Sequence, residues 1–292
     1  MSEFHKDPNF YIGTVCLKVT NLKKSIAFYE QIVGFKILEK TDLMAKLTVD
    51  GKTPLVILEQ PEGIERKSKR TSELYHFALF LPSRKDLAEF IRHLLSIGYP
   101  FGAADHLVSE ALYLNDLDGN GIEVYVDRPS DRWKWKNGLV HMDTLELNGN
   151  DLLRESDGPW TGLPKGTIMG HIHLHVSHLD EAKTFYTDGL GYHIVSIYPQ
   201  AYFFSTGGYH HHIAINTWQG VGVPAPPENS VGLKWYEIIF PNEKMMESQV
   251  EKLRQIGATV TKDGDYFVTE DPASNRIHLV VRQNGSCAGW LF

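Results

Sequence analysis

Between His106 and Glu123 the chain reads HLVSEALYLNDLDGNGIE, which sets an imidazole, the phenol of Tyr113 and a carboxylate at short intervals. Imidazole and carboxylate hold first-row divalent metals, and a phenol beside them is a hydrogen-bond donor. Further imidazoles stand apart in the chain: His76 at the head of the apolar run HFALFL, the strand-like GHIHLHV from Gly170, and the tract Gly208-Tyr209-His210-His211-His212. Two histidines and one carboxylate on one face of a metal, with the other positions open, suit a non-haem Fe(II) that binds a substrate and dioxygen together. These residues can be read as an iron centre.

Composition narrows the setting in which such a centre would work. The 292 residues are ample for two domains, and 42% hydrophobic with 22% charged residues describes a globular chain. No apolar run approaches the roughly eighteen residues a membrane span needs, and MSEFHKDPNF lacks the basic start and apolar stretch of an export signal, so the cytoplasm is the expected compartment. Two cysteines, Cys16 and Cys287, form no metal-type pair. A net charge of -7 without a basic stripe argues against nucleic acid, and the ERKSKR cluster at Glu65 reads as a solvated loop.

The elements that must position the histidines emerge from comparing the chain with itself. TVCLKVTNLKKSIAFYEQIVGF from Thr14 matches HIHLHVSHLDEAKTFYTDGLGY from His171, pairing Phe28-Tyr29 with Phe185-Tyr186 and Gly34 with Gly191. More weakly, HFALFLPSRKDLAEFIRHLLSIG from His76 matches WYEIIFPNEKMMESQVEKLRQIG from Trp235, and each copy closes on a turn and strand, DGNGIEVYV and ASNRIHLVV. Alternating strands followed by amphipathic helices that stop at Gly predict an α+β protein of four βαβββ modules, near 11–60, 73–126, 169–218 and 233–281. The linkers are 127–168 and the Pro-rich 220–232. The expected division is a first domain over 1–130, a connection over 131–168, a second domain over 169–283 and a tail over 284–292.

This layout resembles the vicinal-oxygen-chelate superfamily of glyoxalases, bleomycin resistance proteins and extradiol dioxygenases, over nearly the whole chain. The resemblance implies that modules pair into half-barrel cups, with metal ligands on the first and last strands of each module. Strand alternation then puts Thr14, His76, Glu123, His171, His212, Trp235 and His278 on the inward register. Modules two and three hold the two-histidine, one-carboxylate types there, so the expected metal set is His76, Glu123 and His171, and the expected pairing is two with three and one with four. A competing centre of His171, His212 and His278 would have no carboxylate.

The His106-to-Glu123 stretch also resembles the extradiol ring-cleavage signature, with Leu117 where that family usually has Pro and Ala104 atypical before His106. This second resemblance implies a catechol 2,3-dioxygenase of the two-domain type, taking catechol and O2 to a 2-hydroxymuconic semialdehyde with Fe(II), or alternatively Mn(II). On that reading His212 is the acid-base histidine, Tyr113 and His106 donate hydrogen bonds to substrate, and His173 and His210 support the ligands. No role is expected for His5, His93, His141, His178 or His193. Rival readings are a Zn- or Ni-dependent glyoxalase-like isomerase and a non-catalytic binding or resistance protein. Which catechol is used, whether the chain forms a homo-oligomer, and whether RWKWKNG at Arg132 and CAGWLF at Cys287 cover the site are left open.

Overall fold

The computed structural model describes residues 2–67 and 70–282. Module one comprises β1 (Tyr11–Lys18), α1 (Leu22–Phe28), β2 (Lys36–Lys40), β3 (Met44–Thr48) and β4 (Pro54–Glu59). Module two comprises β5 (Leu74–Phe80), α2 (Arg84–Ile97), β6 (Gly102–Asp105), β7 (Ser109–Asn115) and β8 (Gly121–Asp127). The connection carries a small hairpin, β9 (Trp135–Lys136) and β10 (Leu139–Val140), and the short helix α3 (Gly149–Leu153). Module three is β11 (Ile168–His175), α4 (Leu179–Thr184), β12 (His193–Tyr198), β13 (Ala201–Ser205) and β14 (Ile213–Asn216). Module four is β15 (Gly232–Phe240), α5 (Glu243–Gln255), β16 (Val260–Asp263), β17 (Tyr266–Glu270) and β18 (Arg276–Val281). No helix among the described residues is long and apolar enough to cross a membrane.

Local chemistry explains these elements. In α2, Ser83 caps the first turn by accepting from the Asp86 N–H. Leu87, Phe90, Ile91 and Leu94 recur at helical spacing and bury one face against the sheet, and Gly98 ends the helix in the left-handed region. Both α1 and α4 run on into a single π-helical turn, Tyr29–Val33 and Phe185–Gly189, so the repeat extends to an uncommon local feature. Those turns present Tyr29 and Tyr186, whose buried hydroxyls donate to Asp116 (3.1 Å) and Asp271 (2.9 Å) in the closing turns of modules two and four. Helices in one module are thereby bonded to turns in the next.

Two curled eight-stranded sheets result, ordered β12-β13-β14-β11-β5-β8-β7-β6 and β16-β17-β18-β15-β1-β4-β3-β2. Each sheet draws strands from both halves of the sequence: β11 pairs antiparallel with β5 in one, and β1 with β15 in the other. On each sheet one set of alternate residues packs under helices in the main core, including Phe77, Leu79, Ile122, Val124, Ile172 and Leu174. The opposite set forms the concave face, and it is there that the functional side chains lie.

Candidate metal centre and its cavity

At the centre of the first sheet, β5 is flanked by β8 and β11, and Ala78 sits opposite both Glu123 and His171. Its methyl leaves room for larger neighbours to converge. His76 Nε2 and His171 Nε2 each lie 3.0 Å from the same Glu123 oxygen, Oε2. All three side chains are buried, and their ligand-type atoms lie within 4.8 Å of one another, the one such group of three among the described residues. Gly170, beside His171, is required by its surroundings, since a Cβ there would stand 2.0 Å from the Tyr125 hydroxyl.

The electrostatics suit a cation. Burial pushes the Glu123 carboxyl up, but His171 and His76 outweigh it and hold it well below the usual carboxylate range. Burial pushes His171 down to about 4, with Glu123 restoring only part. Near neutral pH Glu123 is therefore an ionised carboxylate and His171 an uncharged imidazole beside it. A buried negative charge is costly unless a cation balances it. Two imidazole nitrogens and one carboxylate oxygen, already converged, fit a divalent first-row metal.

A cavity of about 350 Å3 opens onto this cluster. His76, Glu123, His106, Tyr113, His173 and His211 line one part of it, while Ala103, Ala104, Val108, Met142, Tyr198, Phe203 and Trp218 are among the residues lining the rest. The His106 tautomer is set by its partners. Nδ1 lies 2.8 Å from the Asp143 carbonyl, which can only accept, so Nε2 carries the lone pair and takes the Tyr113 hydroxyl proton at 2.6 Å. His173 packs edge-on against His76 (ring centroids 5.1 Å apart) and accepts from the Asn216 amide at 2.8 Å. Asn216 in turn accepts from His175 Nδ1 at 2.6 Å. Leu117 is an exposed residue of the closing turn, whose shape comes from Asp116.

His212 requires a correction, because it does not reach the cavity. Its Nε2 donates to the Phe4 carbonyl at 3.0 Å and its Nδ1 faces the Thr206 N–H at 3.4 Å. Alternation counted back from β14 fails there: the strand begins only at Ile213, after a turn in which Gly207 and Gly208 take φ of 65° and 75°. His211 faces the cavity instead, its ring centroid 4.0 Å from that of His171. His210 lies behind it, 0% exposed, with Nε2 2.8 Å from Asp127 Oδ1.

The competing three-histidine centre does not form. His278 belongs to the other sheet, stacked on Trp235 at 4.4 Å, while His171 and His212 point in different directions. On that second concave face Thr14, Trp235 and His278 occupy the positions of His171, His76 and Glu123, and Glu237 stands where Ala78 does. Glu237 accepts from the Thr14 N–H (2.8 Å) and Arg282 (2.7 Å), filling the space that the first sheet keeps open.

Several participants carried no sequence signal. His5 is buried, donating from Nε2 to the Gly170 carbonyl at 2.8 Å with its ring against Tyr209 and His212. Met142 and Thr144 from the connecting segment complete the cavity wall. Trp133 of the RWKWKNG stretch is buried against Phe4 and His210, whereas Trp135 is exposed. The tail 284–292, with CAGWLF, lies outside the described residues.

Comparison with known proteins adds an independent line. The family model described as Glyoxalase/Bleomycin resistance protein/Dioxygenase superfamily matches residues 11–124 and 168–279. The chain is 43% identical over 279 residues to a Bacillus subtilis (strain 168) protein named catechol-2,3-dioxygenase, spanning 94% of this chain and 97% of that one. It is 27% identical over 143 residues to biphenyl-2,3-diol 1,2-dioxygenase 3 of Rhodococcus globerulus, spanning 47% and 75% of the two chains. A solved structure from Bacillus subtilis subsp. subtilis str. 168 superposes with a TM-score of 0.66 at 10% identity, over 93% of this chain and 84% of that chain, a likeness of fold.

Proposed function

Since the chain belongs to the Glyoxalase/Bleomycin resistance protein/Dioxygenase superfamily, we propose that it is an extradiol dioxygenase that cleaves catechol or a substituted catechol beside the diol, giving a 2-hydroxymuconic semialdehyde. The observation that carries the reading is the convergence of His76, Glu123 and His171, the first two at the wall of a cavity that Tyr113, His106 and His211 also line. The 43% identity to a catechol-2,3-dioxygenase supports it. Fe(II), or Mn(II), held by the three residues would supply a Lewis acid and template on which a catechol and dioxygen share one coordination sphere.

The protein's own groups do the rest. The apolar wall from Val108, Met142 and Phe203 receives the ring and excludes water. His211, with burial and then His171 and His210 keeping it well below the usual imidazole range, is an uncharged base at the cavity. It takes the proton of a catechol hydroxyl and returns it to an oxygen of the ring-opened product. The Tyr113 hydroxyl donates a hydrogen bond to His106 Nε2 when no substrate is bound and turns that donor to a substrate oxygen when one is, with His106 anchored by the Asp143 carbonyl.

The test is anaerobic loading with Fe(II), then catechol in air, monitoring oxygen uptake and the yellow ring-cleavage product, with a zinc-loaded sample as control. The expected result is one O2 consumed per catechol and colour only with the redox-active metal. Iron-loaded protein that consumes no oxygen with catechol or its alkyl, chloro and bicyclic analogues overturns the proposal.

A further inference from the structure

We propose that Asp127 and His210 form a buried hydrogen-bond chain that fixes the tautomer and aim of His211, an inference that rests on the proton-transfer role proposed for His211. Asp127 ends β8 on the same face as Glu123 and Tyr125, so the strand carries the concave face down to it. His210 Nε2 lies 2.8 Å from Asp127 Oδ1, and His210 Nδ1 lies 2.9 Å from His211 Nδ1. The order is cavity, His211, His210, Asp127.

Each contact dictates the next. A carboxylate can only accept, so His210 carries its proton on Nε2 and a lone pair on Nδ1. The shared contact then requires His211 to donate from Nδ1, which leaves the lone pair of His211 on Nε2, the nitrogen not committed to the chain. Packing holds the chain rigid: the His210 ring lies between Tyr209 (centroids 4.1 Å) and Trp133 (5.2 Å). Tyr209 in turn contacts Tyr125 (2.7 Å, hydroxyl to hydroxyl) and Asp127 (3.4 Å). Asp127 and His210 touch no part of the cavity and act only through His211, as positioning residues.

Iron-loaded wild type is compared with His211→Ala, His210→Asn and the double variant His210→Phe with Asp127→Asn, which keeps the ring volume and avoids stranding a buried charge. The double variant should lose about a hundredfold in kcat, within the range of general acid-base catalysis, with KM for catechol and iron content unchanged. His210→Asn, whose amide carries an acceptor near the lost Nδ1, should recover about tenfold of that. A double variant with wild-type kcat while His211→Ala is inactive overturns the chain. So does a joint fall of kcat, KM and iron content that His210→Asn does not relieve. Nitrogen-15 NMR of the histidine rings in the zinc-loaded protein reads the tautomer without turnover: the proton of His211 is expected on Nδ1 in wild type and displaced toward Nε2 in the double variant. Observing it on Nε2 in wild type sinks the inference whatever substrate the protein takes. Wild type that is inactive on every catechol but shows the Nδ1 tautomer overturns the functional reading and leaves the geometry standing.

Discussion

Glu123 carries more of the centre than either histidine, because one of its oxygens receives both imidazoles and its charge is what a cation would balance. Removing that charge separates metal binding from folding. Glu123→Gln is expected to lower metal affinity by at least tenfold to a hundredfold and with it ring cleavage. The metal-free variant should melt no lower than wild type, since a buried negative charge is gone. Thermal melts with and without Fe(II) check both halves: wild type should gain stability on loading and the variant should not. A variant that keeps the full metal-induced shift would remove Glu123 from the ligand set. The neighbouring histidines show how far residue-scale reading goes. His76 and His171 lie where the repeat and strand register put them, because both sit inside continuous strands. His211 could not be told from His212, because the backbone leaves the strand just before Ile213 and period-two counting has no meaning in the turn.

At the scale of elements, the turn that leads into β8 has a structural purpose that its repeated copy makes plain. Asp116 accepts from the backbone N–H groups of Asp118 and Asn120, the Asn120 amide and the Tyr29 hydroxyl. Asp271 does the same for Ala273, Asn275 and Tyr186. Alanine at either aspartate strands several buried donors, and each variant should lose about 3 kcal/mol of stability by chemical denaturation. Only Asp116→Ala should also lower turnover, because only that turn sets the start of the strand bearing Glu123. Equal loss of turnover in Asp271→Ala would mean that the second sheet takes part in catalysis. The contrast between the sheets was legible in the sequence as Trp235 and His278 at ligand positions. The plug formed by Glu237, Thr14 and Arg282 was not, because a glutamate in a strand gives no sign of the arginine that reaches it from just past β18.

For the molecule as a whole, the segment before β1 is part of the site's foundation. His5 and Phe4 wedge beneath the turn that holds His210 to His212, and His5 sits uncharged with burial pushing it down to about 3. His278, on the second sheet, is pushed down to about 4, first by burial. Such groups stay neutral in the folded protein while the unfolded chain protonates near 6.5, so between pH 6.5 and 4 the unfolded state binds more protons and stability falls as pH falls. Urea denaturation of the metal-free protein should show this loss, with a shallower slope in His5→Gln; a flat profile over that window would contradict the burial of these rings. No sequence pattern announced this docking, since a terminal segment lacks periodicity and its partners come from distant modules. The four modules were legible because each repeats its own strand, helix and closing turn. In the proposed reading one metal centre, built from modules two and three, performs the chemistry. Titrating the metal-free protein with Fe(II) anaerobically, then measuring oxygen uptake with catechol at each ratio, decides this. Activity should rise linearly and stop rising at one iron per chain, with His278→Ala matching wild type and His76→Ala staying flat. A break at two irons per chain, or activity that survives in His76→Ala, would contradict it.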